Sequence, residues 1–223
     1  MRRWAVVCCV LASFALAAAD AHASDDSFGA GNGHHGDLDV SAPNTIVNHA
    51  ASLIADVTPG DDELFVTGPA DFLVGDLVMV WHTQGLARDD VSNDETPIEL
   101  ADKHVGRFEF ARVVAKTSTS LLLAAPMLDG WPSTESQVVF IPEYTSVTVQ
   151  ATGALAALPW SSDDLTGGIL AVFVRDELVN DGLMTAAGGG MSGGVLDQDA
   201  TMTGGCSSAN ELAQFGAQRG EGL

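Results

Sequence analysis

Cysteine is scarce in this chain: three residues, of which Cys8 and Cys9 fall in the N-terminal apolar stretch and only Cys206 lies beyond it. A disulfide framework is therefore excluded, and the fold must rest on buried apolar surface. Cationic charge is also short, with 9 Lys and Arg against 30 Asp and Glu and a net charge of −21. Lysine occurs only at positions 103 and 116. Nucleic acid and anionic headgroups would be repelled by such a chain, which excludes both as partners. Uninterrupted apolar runs of about 18 residues are missing beyond the N-terminus, so no transmembrane segment is expected in the mature protein. Amphipathic helical periodicity is hard to place in the β-rich stretch up to residue 141.

What is present begins with an export signal. Arg2 and Arg3 precede an apolar stretch at residues 4–19, and Ala21-His22-Ala23 offers small residues where signal peptidase reads them. Residues 1–23 are expected to be a signal peptide cleaved before Ser24, with the protein extracellular or on the outer cell surface. Cleavage removes Arg2, Arg3 and Asp20, which takes the net charge from −21 to −22 and leaves Cys206 as the one cysteine.

Residues 24–36 (SDDSFGAGNGHHG) are small, polar and Gly-rich, and are expected to be a flexible N-terminus. Residues 37–141 carry short apolar segments between turn signals: LFV at 64–66, LVMVW at 77–81, FEFARVVA at 108–115, LLLA at 121–124 and VVFI at 138–141. Short strands with turns at modest spacing predict a small β-sandwich or barrel-like domain. Residues 88–103 interrupt it with six acidic side chains and one proline, which reads as a solvent-exposed loop.

From residue 142 the pattern changes. YTSVTV at 144–149 alternates cleanly, and ILAVFV at 169–174 is an apolar run bounded by turn residues, with Gly167 and Gly168 ahead of it. An Asn-Asp-Gly corner at 180–182, a further strand and a glycine cluster follow. Residues 142–194 are therefore expected to be the rungs of a parallel β-helix-like solenoid, with glycine turning the corners. The 25-residue step from Val149 to Val174 suggests the coil length. Residues 195–223 are a Gly-rich tail with few large apolar side chains, expected to be disordered or truncated. The fold class is all-β, with a small β domain leading into the start of a solenoid.

Chemistry is sparse. No G-x-S-x-G is present, and Cys206 lacks a neighbouring histidine in any catalytic signature. His34 and His35 with Asp37 and Asp39 could form an N/O metal site, but adjacent histidines in a polar tail are more often solvated. Calcium, with its oxygen ligands, is the better ionic candidate; Asp163, Asp164, Asp181, Asp197 and Asp199 are its nearest donors, although no EF-hand loop or calcium β-roll repeat is matched. Trp131, Trp160 and Tyr144 sit beside proline or polar loops and are candidate carbohydrate contacts, set against burial as core lids. No cofactor other than calcium is implied.

The order of several segments resembles the N-terminal part of the secreted myxobacterial adventurous gliding motility proteins (AgmC-like). The pieces are FGAGNGHHGDLDV at 28–40, NTIVN at 44–48, FLVGDLVMVWHTQG at 72–85, FEFARV at 108–113, IPEYTSVTV at 141–149, TGGILAVFV at 166–174, LVNDGLMTAAGGGMSGG at 178–194 and RGEGL at 219–223. The resemblance implies export and a structural or adhesive role at the cell surface linked to gliding, with extracellular polysaccharide or surface proteins as partners and no chemistry. The alternative is a secreted enzyme acting on polysaccharide or a carbohydrate-binding module, because solenoids host such functions.

Overall fold

The computed structural model describes residues 29–84 and 105–191. The described chain is all-β, its one non-strand element being a single 3-10 turn at Pro69–Asp71. Six strands build the first unit: β3 (Ala50–Ser52), β4 (Glu63–Phe65), β5 (Leu77–His82), β6 (Phe108–Lys116), β7 (Ser120–Leu123) and β8 (Ser136–Ile141). They pair antiparallel in the order β3-β8-β5-β6-β7-β4. The sheet curls until its ends meet at the Leu53–Val66 bridge, where Ile54 N donates to Phe65 O at 2.9 Å and Thr67 N to Ser52 O at 3.0 Å. Closure removes both exposed edges, which is how small antiparallel sheets avoid pairing with other chains.

The barrel interior is filled by Leu64, Phe72, Val78, Val80, Leu121 and Val138, among others. By alternation Leu77, Met79 and Trp81 point to the other face of β5. Leu77 is nonetheless fully buried and Met79 nearly so. Both faces of β5 and β8 are covered, which is why LVMVW and VVFI read as continuous apolar runs and not as alternating ones. The outer cover is a strap at residues 169–173, whose Ile169, Ala171 and Phe173 pack on Leu77, Met79, Val139 and Ile141.

Ahead of Phe173, where β11 begins, the strap has no strand partner of its own, and two buried side-chain amides serve instead. Asn48 Nδ2 donates to Ala171 O at 2.7 Å and to Phe140 O at 2.9 Å, and Ala171 N donates to Asn48 Oδ1 at 3.1 Å. Gln137 Nε2 donates to Gly167 O at 3.1 Å while Gly167 N donates to Gln137 Oε1 at 2.8 Å. Each amide presents a donor and an acceptor in the geometry of a peptide group, so the buried backbone is satisfied without a neighbouring strand.

The second unit is a three-rung parallel solenoid. One wall stacks β1 (Asp37–Val40), β9 (Glu143–Val149) and β11 (Phe173–Asn180); the other stacks β2 (Thr45–Ile46), β10 (Ala154–Ala156) and β12 (Leu183–Thr185). Leu38, Val147 and Leu178 align in one column, and Val40, Val149 and Asn180 in the next. Val40, Val147, Val149 and Leu155 form the interior. Glycine stands at the corners because adjacent rungs leave no room. A Cβ on Gly182 would lie 2.2 Å from Gln150 O and 2.4 Å from Gly153 O, and one on Gly153 would lie 2.0 Å from Val40 O.

Three expectations are corrected by this arrangement. Residues 37–46 do not belong to the barrel; they form the first rung, and the barrel is inserted between the first and second rungs. Strand alternation looks the same for either partner, and β1 finds its partner about a hundred residues away (Asp37 bonds Ser146, a separation of 109). The strand expected at 169–174 begins only at Phe173, because residues 169–172 are spent on covering the barrel; the rung partner of Val149 is Asn180 and not Val174. Residues 29–36 are also tied down and not free. Asn32 N donates to Glu143 Oε1, His35 N to Glu143 O and Thr145 N to Gly36 O. Glu143 is fully buried and pairs with Arg112, so its remaining lone pairs require donors, and the N-terminal loop supplies one. Residues 1–28, the acidic loop at 88–103 and the tail at 195–223 lie outside the described residues.

Candidate functional site

Aromatic rings collect where the two units join. On the outer face of β6 stand Phe108, Phe110 and Arg112, by simple period-two alternation. Phe108 and Phe110 meet edge to face with centroids 5.5 Å apart, and Phe110 meets Phe173 of β11 in the same way at 5.5 Å. Trp81 is the cross-strand partner of Phe108. The strap covers the inner end of this strip and stops short of the outer end, so Phe110, Phe173 and Trp81 are half-buried while Phe108 is 58% exposed. A large apolar ring left in water at the head of an ordered aromatic row is the informative kind of exposure.

Beside Phe110 lies a cavity of about 240 Å³. It lies where β7 no longer accompanies β6: the two pair only from Val113 onward, with an irregularity between Val113 and Ala115. The earlier part of β6 faces the loop at 124–128 instead, joined by the bond from Ala124 N to Arg112 O at 2.8 Å. Bulges of this kind recur at sites because they splay a ladder and open space. The walls include Phe110, Ala125, Pro126, Met127 and Leu128, with Leu128 80% exposed at the mouth. The Glu109 carboxylate accepts from Leu128 N at 2.8 Å and Asp129 N at 3.3 Å, which holds the loop in place. Arg112, also in the lining, is committed to Gly75 O at 3.0 Å and to Glu143.

The aromatics singled out in the sequence are dispersed. Trp131 is 1% exposed and plugs the barrel, bonded by its backbone to Val57 in both directions. It cannot touch a sugar, and its proline-flanked position concealed a core lid. Tyr144 is half-buried against the solenoid interior, and burial raises its phenol pKa above the ordinary value. Trp160 is half-exposed in the loop before the strap, where Trp160 N donates to Gly189 O at 3.0 Å. Of the three, Trp131 alone is closed to a carbohydrate by burial, while Tyr144 and Trp160 are both partly exposed.

The calcium candidates are likewise divided. Asp163 and Asp164 share the Trp160 loop, where Ser161 Oγ donates to Asp164 Oδ2 at 3.0 Å and Ser52 Oγ to Asp164 O. The turn places Leu165 at φ 55°, a left-handed conformation that is unusual for a branched side chain. Asp181 is exposed at a solenoid corner, its N–H bonded to Val149 O, and Asp197 and Asp199 lie outside the described residues. His35 Nδ1 accepts from Glu143 N at 3.0 Å, Asp37 accepts from Ser146 and Asp39 from Gln150. Among the described residues no group of three or more His, Cys, Asp or Glu side chains is arranged to hold a metal ion. No described helix is long and apolar enough to cross a membrane.

Phe108, Phe110 and Phe173 were legible as strand residues but not as a strip. Their shared face on β6 follows from alternation, whereas the junction with Phe173 depends on tertiary contact. No protein-family model matches the chain, and no curated protein matches it. Among solved structures it is similar to the tailspike gp61 of Pseudomonas phage phi297, with 12% identity and a TM-score of 0.32 over 54% of this chain and 22% of that one. It is also similar to the Gp54 tailspike of Acinetobacter baumannii bacteriophage AP22, solved in complex with A. baumannii capsular saccharide, with 10% identity and a TM-score of 0.35 over 66% of this chain and 26% of that one. This chain thus spans about a quarter of the length of the tailspikes it resembles.

Proposed function

We propose that this is an exported, non-enzymatic surface protein whose barrel–solenoid unit adheres to extracellular polysaccharide, in a cell that moves by gliding. The observation that carries the binding reading is the exposed end of the Phe108–Phe110–Phe173 strip. Sugar rings have apolar C–H faces, and a fixed aromatic face gives them contact area at low entropic cost. The ring of Phe108 is anchored by its row, so the platform is organised before a ligand arrives. Export rests on the N-terminal signal pattern, and gliding on the likeness of segment order to the motility proteins.

Affinity electrophoresis of the full exported chain through gels containing neutral exopolysaccharides tests the proposal. Retardation is expected with the wild type and its loss with Phe108→Ala, a surface change that leaves the fold intact by circular dichroism. Equal mobility of the two proteins in every gel would overturn it.

A further inference from the structure

We infer that the cavity beside Phe110 is the specificity subsite of this surface, and that it takes the acetamido group of a neutral N-acetylated sugar. The inference rests on the polysaccharide-binding reading and narrows it to a substrate class. Three observations carry it. At about 240 Å³ the space falls below the roughly 300–1,000 Å³ of sites for drug-sized ligands, so it suits one ring or its substituent and not an extended chain. Its walls are mainly hydrocarbon, from Ala111, Pro126, Met127 and Leu128, which favours a methyl-bearing group over bare hydroxyls that would be stripped of water.

The third observation is polar. Glu109 lines the cavity, and its carboxylate accepts from the two backbone N–H groups of Leu128 and Asp129, which belong to the loop that walls it. A carboxylate has about four acceptor positions, so it can take a further N–H such as an acetamide provides. Phe110 belongs both to the cavity wall and to the aromatic row, so a ring stacked on Phe108 would carry its 2-substituent toward the pocket. A uronate or sulfated sugar would meet Glu109, Asp129 and a chain of net charge −21, and is disfavoured.

Isothermal titration of the full exported chain in physiological salt separates the outcomes. The probes are the neutral β-1,4-linked N-acetylglucosamine trimer and the unsubstituted glucose trimer of the same linkage. The acetylated trimer is expected to bind at least about fourfold tighter, the return from burying one methyl group. Ala125→Trp, which fills the cavity from an exposed loop position, is expected to bring the two trimers to equal affinity. Glu109→Gln should weaken only the acetylated trimer. If both trimers bind equally to the wild type, or the preference survives Ala125→Trp, the subsite assignment is overturned while the glycan-binding reading stands. If neither trimer binds and no polysaccharide retards the protein, both are overturned.

Discussion

Replacing Asn48 with leucine tests whether side-chain amides hold the two units together. Leucine has the same branched shape and number of heavy atoms, so the change removes the hydrogen bonds at the cost of a modest increase in volume. Asn48 is 4% exposed, and its amide serves three backbone groups: Phe140 O at 2.9 Å, Ala171 O at 2.7 Å and Ala171 N at 3.1 Å. Each lost bond carries about 1 kcal/mol net, and each buried group left without a partner costs about 1–3 kcal/mol. The strap is a surface segment and can relax toward water, which recovers part of the penalty. The expected loss is about 2–4 kcal/mol, a large share of the roughly 5–15 kcal/mol that holds a domain folded.

The loss should also be local. With the Ala171 clamp gone, the strap lifts from Leu77, Met79, Val139 and Ile141, and β11 loses its anchor. Urea unfolding of the full chain measures the total, and hydrogen exchange over residues 169–180 measures the local opening. Protection should fall there first, while the inner barrel strands stay protected. A stability change below about 0.5 kcal/mol with unchanged exchange would refute the assignment of the amide as a surrogate strand, since that is the range of inert surface changes.

Two further outcomes are expected beyond the two binding experiments. Gly182→Ala should destabilise the solenoid by about 1–3 kcal/mol, because the new methyl must push apart the carbonyls of Gln150 and Gly153; an unchanged urea midpoint would contradict the stacking of the corners. His49 stacks on Phe140 at 4.6 Å and meets Phe72 at 4.7 Å, and burial lowers its pKa from 6.5 against the opposing pull of Asp71 and Asp76. The unfolded chain therefore binds this proton more readily. The stabilisation is fully present above pH 6.5 and is lost as the pH falls from there toward the depressed folded value. Thermal melts from pH 7.5 down to pH 5 should show a smaller decline for His49→Phe than for the wild type, and parallel declines would contradict it.

Much of the barrel could be read directly from residues. LVMVW, FEFARVVA and VVFI become β5, β6 and β8, since a short apolar run between turn residues has few other uses. The solenoid character of residues 142–185 was legible from YTSVTV and the Asn-Asp-Gly corner. Its first rung was not, because the two-residue β2 and the four-residue β1 carry no mark of a parallel partner beyond an inserted domain. Trp131 misled because a proline neighbour signals a loop and says nothing about whether the indole turns inward.

Composition and local pattern alone thus determined that this protein is all-β, acidic, poor in cysteine and turned at glycine corners. Each of these follows from nearest-neighbour sterics, charge counting and side-chain alternation. Only the tertiary structure decided that the barrel interrupts the solenoid, that two amides stand in for a strand, and that Phe108, Phe110 and Phe173 meet in one row. Those facts depend on contacts between residues far apart in the chain, where the free energy is set by which surfaces bury each other and by no local sequence signal.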